Sequence, residues 1–159
     1  MTTALKKPLA VLALLLCLAL TACGAPEQPA LSCAEAADRV QAACAFTELN
    51  DVSASYLEKQ LLIDSVDLED WVMRRDLTGV SPEMILIVKV KPGADQAAIL
   101  QAVRDYREER ILQYRDYQPE QVYKLENSKV MRSGAMIALI VTADAGSAAT
   151  ALGSGWTAP

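Results

Sequence analysis

The alternation of apolar and polar positions divides the chain into a hydrophobic leader and a patterned domain. From Leu9 to Leu20 the residues are almost wholly apolar, with Lys6 and Lys7 ahead of them. This run is shorter than the roughly 20 residues a bilayer span needs, and its positive flank is that of a signal peptide. Past residue 31 the pattern becomes periodic. Ser32-Cys33-Ala34-Glu35 spells a capping box, and Cys33, Ala37, Val40 and Cys44 follow at helical spacing, predicting a helix over 33–46. A shorter helical stretch over 54–62 carries Tyr56, Leu61 and Leu62. The acidic 64–70 segment reads as a turn leading into a strand at Trp71-Val72-Met73. Gly79 and Pro82 punctuate a turn over 78–82.

Met84 to Lys91 is a strand, apolar on both faces at first and alternating at its end, as in a partly covered internal strand. Residues 94–117 form the longest predicted helix. Ile99, Val103, Tyr106, Arg110, Tyr114 and Tyr117 recur along one face, Asp95 suits the first turn, and Pro119 stops the helix. A helical turn over 120–125 precedes two strands, 128–132 and 135–142, joined at Ser133-Gly134. The second is apolar on both faces and belongs centrally in the sheet. A short helix over 144–152 and a disordered tail, 153–159, complete the order. Helix, helix, two strands, helix, two strands, helix predicts an α+β fold. We expect a single domain over 32–152, with a mainly antiparallel sheet of about four strands covered by helices, following a lipoprotein signal peptide.

Residues Leu20-Thr21-Ala22-Cys23 match a lipobox directly after the apolar run. The expected division is a signal peptide at 1–22 and a lipidated cysteine with its tether at 23–31. An ordinary secretory signal, or an uncleaved transmembrane anchor, accounts for less of the pattern. Neither needs the positive segment, apolar segment and lipobox in register, and no stop-transfer pattern follows. Cys23 is thus the expected lipid attachment site, because a thiol is what accepts the diacylglycerol thioether. Two acyl chains of palmitate type hold a protein stably where one would not. The expected location is extracytoplasmic, at the outer face of the cell membrane.

Charge sharpens this picture. The chain carries 15 basic and 20 acidic residues, a net −5, and loss of Lys6 and Lys7 with the signal moves it to −7. Such a balance disfavours nucleic acid, whose binding rests on neutralising phosphates with Lys and Arg. It also disfavours a broad grip on anionic headgroups, leaving the lipid to anchor the chain. Of four cysteines, Cys33 and Cys44 remain in the domain. On one helix they would stand about 16 Å apart on the same face, too far for a disulfide or a shared metal, so both are expected in the core.

The chain has no histidine, which removes Ser-His-Asp and Cys-His nucleophilic arrangements. It also lacks a phosphate-binding glycine loop and a calcium loop. No catalytic residue, cofactor or metal is therefore expected, with a carboxylate-based hydrolase as the remaining enzymatic alternative. The candidate interaction surface is Arg104, Tyr106, Arg107, Tyr114 and Tyr117, residue types common at interfaces. Against it stands a plainer reading, in which the tyrosines edge the core and the charges pair along the helix. Arg74-Arg75 could hold a polyanion or simply guard a strand end.

Over roughly residues 50–145 the sequence resembles the small clostridial-type lipoproteins classed as domain of unknown function 4358. The resemblance rests on Asp67-Leu68-Glu69-Asp70 ahead of a strand, Thr78-Gly79, and Glu83 before the apolar strand. It continues through the Arg-, Glu- and Gln-rich helix, the Asp116-to-Glu120 break and Leu125-Glu126-Asn127. It implies an envelope lipoprotein of Gram-positive type with no catalytic residues to carry over, and an accessory role beside membrane O-acyltransferase systems. The function expected is a non-enzymatic binding or accessory module whose partner is an envelope protein or cell-wall polymer. The alternative is a small solute- or polymer-binding lipoprotein of a transport or polymer-modification system.

Overall fold

Why the strand beginning at Met84 is apolar on both faces becomes clear from its neighbours. A computed structural model describes residues 31–159, and the expected signal peptide, Cys23 and the expected tether up to residue 30 lie outside the described residues. Five strands form one antiparallel sheet in the order β1-β2-β3-β5-β4. They are β1 (Asn50–Asp51), β2 (Leu68–Arg75), β3 (Met84–Val90), β4 (Val130–Ser133) and β5 (Met136–Val141). With β3 in the middle, both its faces are covered. Met84, Leu86, Val88 and Val90 join the core on one face, while Ile85 and Ile87 join the core on the other. Five α-helices supply the covers. On the first face lie α2 (Ala54–Leu61), α3 (Gln96–Tyr117) and α4 (Val122–Asn127); on the second lie α1 (Cys33–Ala43) and α5 (Ala145–Leu152).

Local chemistry sets the element ends. Ser32 and Glu35 cap α1 reciprocally, with Ser32 Oγ accepting from Glu35 N at 3.2 Å and Glu35 Oε2 accepting from Ser32 N at 2.9 Å. Asp95 caps α3 by accepting from Ala98 N, and Asp144 caps α5 by accepting from Ser147 N. Helix α3 ends at Tyr117, before Pro119, as the sequence predicts.

Three boundaries differ from expectation. Helix α1 stops at Ala43 because the backbone turns extended at Cys44. Strand β2 runs over eight residues rather than three. A register shift between Leu68 and Asp70 interrupts its alternation, and Asp70 accepts from Cys33 N at 2.7 Å, so acidic residues that read as a turn are ladder residues. The fifth strand, β1, is a two-residue edge with both residues exposed.

The tail expected to be disordered instead returns to the sheet. Arg132 N donates to Thr157 O at 2.8 Å and Thr157 N to Arg132 O at 3.0 Å, while Trp156 packs on the second core. The free edge of β4 and an uncovered apolar patch give this segment partners, and both sheet edges end up short or covered. Cys33 and Cys44 are free and buried, at 0% and 8% exposure. Burial first, and Asp70 second, push the Cys33 thiol up to about 12. Among the described residues no helix is long and apolar enough to cross a membrane.

Candidate functional site

Helix α3 separates the five residues of the expected interaction surface. Tyr106 and Tyr114 are only 4% and 3% exposed, so they belong to the core and cannot form an outer surface. Their helical spacing put them on the same stripe as Ile99 and Val103, and that stripe faces the sheet. Arg104 and Arg107 lie elsewhere, at a depression of about 530 Å³ bordered by the C-terminal residues. There Arg104 donates to Pro159 O, and Arg107 donates to Leu125 O, Glu126 O and Ser128 Oγ. Those guanidiniums tie segments together. Tyr117, at 78% exposure, is the only one of the three tyrosines in that expected surface presented to solvent.

Arg74 and Arg75 are likewise divided, since neighbours on a strand point to opposite faces. Arg74 is held by Asp38 at 2.7 Å and Asp51 at 3.1 Å. A polyanion gripped by both arginines together is therefore ruled out by strand geometry. Arg75 turns toward α3, where it meets Arg110 in a concave pocket of about 280 Å³. The helix also contributes Gln113 and Tyr114, and Tyr117 and Gln118 close its end. Gly79, from the loop joining β2 to β3, forms the opposite wall.

The charges here are unusual. Among the described residues neither Arg75 nor Arg110 makes an ion pair, and no carboxylate lines the pocket. Arg75 stacks over the Tyr56 ring at 5.1 Å, and Arg110 over the Tyr114 ring at 4.8 Å. Arg75 also donates through Nη1 to Tyr56 Oη and through Nε to Asp76 O. Arg110 is 9% exposed and donates to Gln113 Oε1 at 2.5 Å, yet its Nε is buried without a partner. A cation–π stack contributes about 0.5–2 kcal/mol. Leaving a buried donor unmatched costs about 1–3 kcal/mol, and more on a charged group. The stacking does not satisfy the N–H, so Arg110 keeps one buried donor without an acceptor while its side chain borders the pocket.

A buried polar network holds the loop that forms the wall. Asp76 Oδ1 accepts from Thr78 N and Thr78 Oγ1, each at 2.6 Å, and Asp76 Oδ2 accepts from Ser81 N at 2.8 Å. Burial would raise the Asp76 carboxyl, but these hydrogen bonds and Arg75 bring it below its ordinary value. Glu83 closes the loop. It pairs with Lys124 Nζ at 2.8 Å through Oε1 and accepts from Thr47 N at 2.6 Å through Oε2. Both side chains are nearly buried, at 5% and 10% exposure. Burial works against the Glu83 carboxylate too, and Lys124 and Thr47 outweigh it, lowering its pKa. Gly79 sits at φ +78°, where a side chain is strained, and its carbonyl accepts from Tyr114 Oη at 3.1 Å. The loop thereby exposes Leu77 and Val80, at 59% and 60%, on the same segment as the Gly79 wall.

Sequence reasoning missed Arg75 and Arg110 as a pair. The available signal was an arginine within the apolar stripe of α3, a position where a guanidinium needs a reason to be.

The fold and site define an α+β domain with an open antiparallel sheet, covered on both faces, and a cationic pocket built on one helix, one strand end and one loop. The family model described as Domain of unknown function (DUF4358) matches residues 42–142. The chain belongs to that family. No curated protein and no solved structure matches the chain. Several positions that carry the family resemblance, Thr78, Gly79, Glu83 and the Tyr117-Gln118 helix end, gather around the pocket or the network behind it.

Proposed function

We propose that this protein is a non-enzymatic binding or accessory module of the cell envelope, held at the outer face of the membrane by lipid on Cys23. The observation that carries the binding role is the pair of arginines in one pocket with no carboxylate partner and one buried N–H unmatched. Such a site gains from a partner more than it contributes to stability alone. The non-enzymatic character is supported by the carboxylates behind the pocket. Asp76 and Glu83 are held ionised by hydrogen bonds or an ion pair, whereas a general acid working near neutrality needs its pKa raised. Anchoring is supported by the lipobox Leu20-Thr21-Ala22-Cys23 behind its apolar segment.

The test has two arms. Cys23→Ser should abolish lipid labelling and release the chain from membranes; labelling that persists would remove the anchor. Crosslinking in cells should recover an envelope protein or polymer with the wild-type chain and less with Arg110→Gln. Recovery of no envelope component would end the accessory reading.

A further inference from the structure

We infer that the pocket between Arg75 and Arg110 is an oxyanion site, taking one carboxylate or phosphate group on a compact organic carrier whose body lies against Tyr117. This names the ligand class of the binding site proposed above and rests on that reading.

Three observations converge. The pocket supplies two guanidiniums from different elements, one on β2 and one on α3, with no carboxylate among its lining residues; Asp76, which feels the Arg75 charge, is turned to Thr78 and Ser81 instead. Arg110 is more than nine-tenths buried, and its Nε is the unpaired donor. Guanidinium forks match planar or tetrahedral oxyanions, and both arginines border this pocket without an ion-pair partner among the described residues. Gln113 and Gln118 line the same space and offer neutral amide donors, which hold an anion without repelling it.

The size and setting define the carrier. A pocket of about 280 Å³ admits a charged group and part of what bears it, not an extended polymer segment. The rest would lie on the rim, where Tyr117 lines the pocket and is 78% exposed. The acidic balance of the chain opposes a long polyanion approaching from a distance, so attraction is confined to the pocket itself. Two other half-buried arginines are already committed: Arg74 to Asp38 and Asp51, and Arg107 to Glu108 and to carbonyls of the α4 end.

The test is calorimetric titration of the purified full-length chain in non-ionic detergent at low salt. The probes are inorganic phosphate, glycerol 3-phosphate and glucuronate, with glycerol and glucose as neutral controls. The expected result is binding of the anions and not of the neutral controls, at least about tenfold weaker in Arg110→Gln and in Arg75→Gln. Tighter binding of glycerol phosphate or glucuronate than of phosphate identifies a group on a carrier. Tyr117→Ala, at an exposed position that leaves the core intact, should erase that difference. Equal affinity for phosphate alone identifies a free-anion site, which keeps the oxyanion assignment and overturns the carrier. Absence of anion binding at millimolar concentration in chain shown to be folded, or binding unchanged by both arginine substitutions, overturns the proposal. The titration needs no membrane and no partner, so its failure is distinguishable from a failure of anchoring or crosslinking.

Discussion

Replacing Lys124 with methionine isolates what the buried ion pair contributes. The substitution removes the cation 2.8 Å from Glu83 and keeps an apolar stem of similar length. Glu83, 5% exposed in the unsubstituted chain, is then left with the Thr47 N–H as its donor. Breaking a buried pair this way commonly costs about 3–5 kcal/mol, because one charge is left uncompensated. The carboxylate has an escape, since it can take up a proton. From its ordinary value of 4.5, protonation at pH 7 costs about 3.4 kcal/mol at 1.36 kcal/mol per pH unit, and this caps the penalty. The cap falls to about 0.7 kcal/mol at pH 5. Urea unfolding at the two pH values should therefore show a loss of about 3 kcal/mol at pH 7, shrinking to about 1 kcal/mol at pH 5. A second variant carrying Glu83→Gln as well should recover most of the loss at pH 7, since an amide oxygen still accepts from Thr47. A penalty below about 1 kcal/mol at pH 7, or one independent of pH, would refute the reasoning.

Other outcomes follow from the same contacts. The unmodified protein should keep its stability above pH 5 and lose it below, because Asp76 and Glu83 have folded pKa values depressed beneath 3.8 and 4.5; an acid titration by circular dichroism checks this. Leu86→Ala, at a fully buried site on the central strand, should cost about 2–5 kcal/mol in urea unfolding. Alkylation mapped by mass spectrometry should leave Cys33 unmodified in native protein and modify it in denaturant, given its burial and a thiol pushed up to about 12.

The elements readable from sequence are those whose side chains report their surroundings. Strand β3 shows covering on both faces through consecutive apolar residues, and α3 shows its buried stripe and its proline stop. Strand β1 carries no such signal, since Asn50 and Asp51 are exposed and are strand residues only by pairing with Arg75 and Arg74. The lower end of β2 was hidden for another reason. Its acidic residues look like a turn until Asp70 is seen capping Cys33, a partner 37 positions away. The pocket was half legible. Tyr117 and Tyr114 were recognisable as candidates, but Arg75 and Arg110 become a pair only when the sheet brings β2 against α3. A list of residues cannot show that, among the described residues, Arg75 makes no ion pair while the adjacent Arg74 makes two.

The hydrogen bond from Cys33 N to Asp70 has a mechanical side. A chain held by the residues preceding Ser32 is loaded where α1 begins, and that point is fastened to β2 rather than to the helix alone. Tension would run along β2, which is paired on both sides, and would strain its ladder in shear instead of peeling α1 away one turn at a time. The five steps from Asp70 to Arg75 span about 17 Å, so the grip and the arginine pocket occupy opposite ends of one strand. A load applied ahead of Ser32 would therefore enter the domain at the far end of β2 from the pocket.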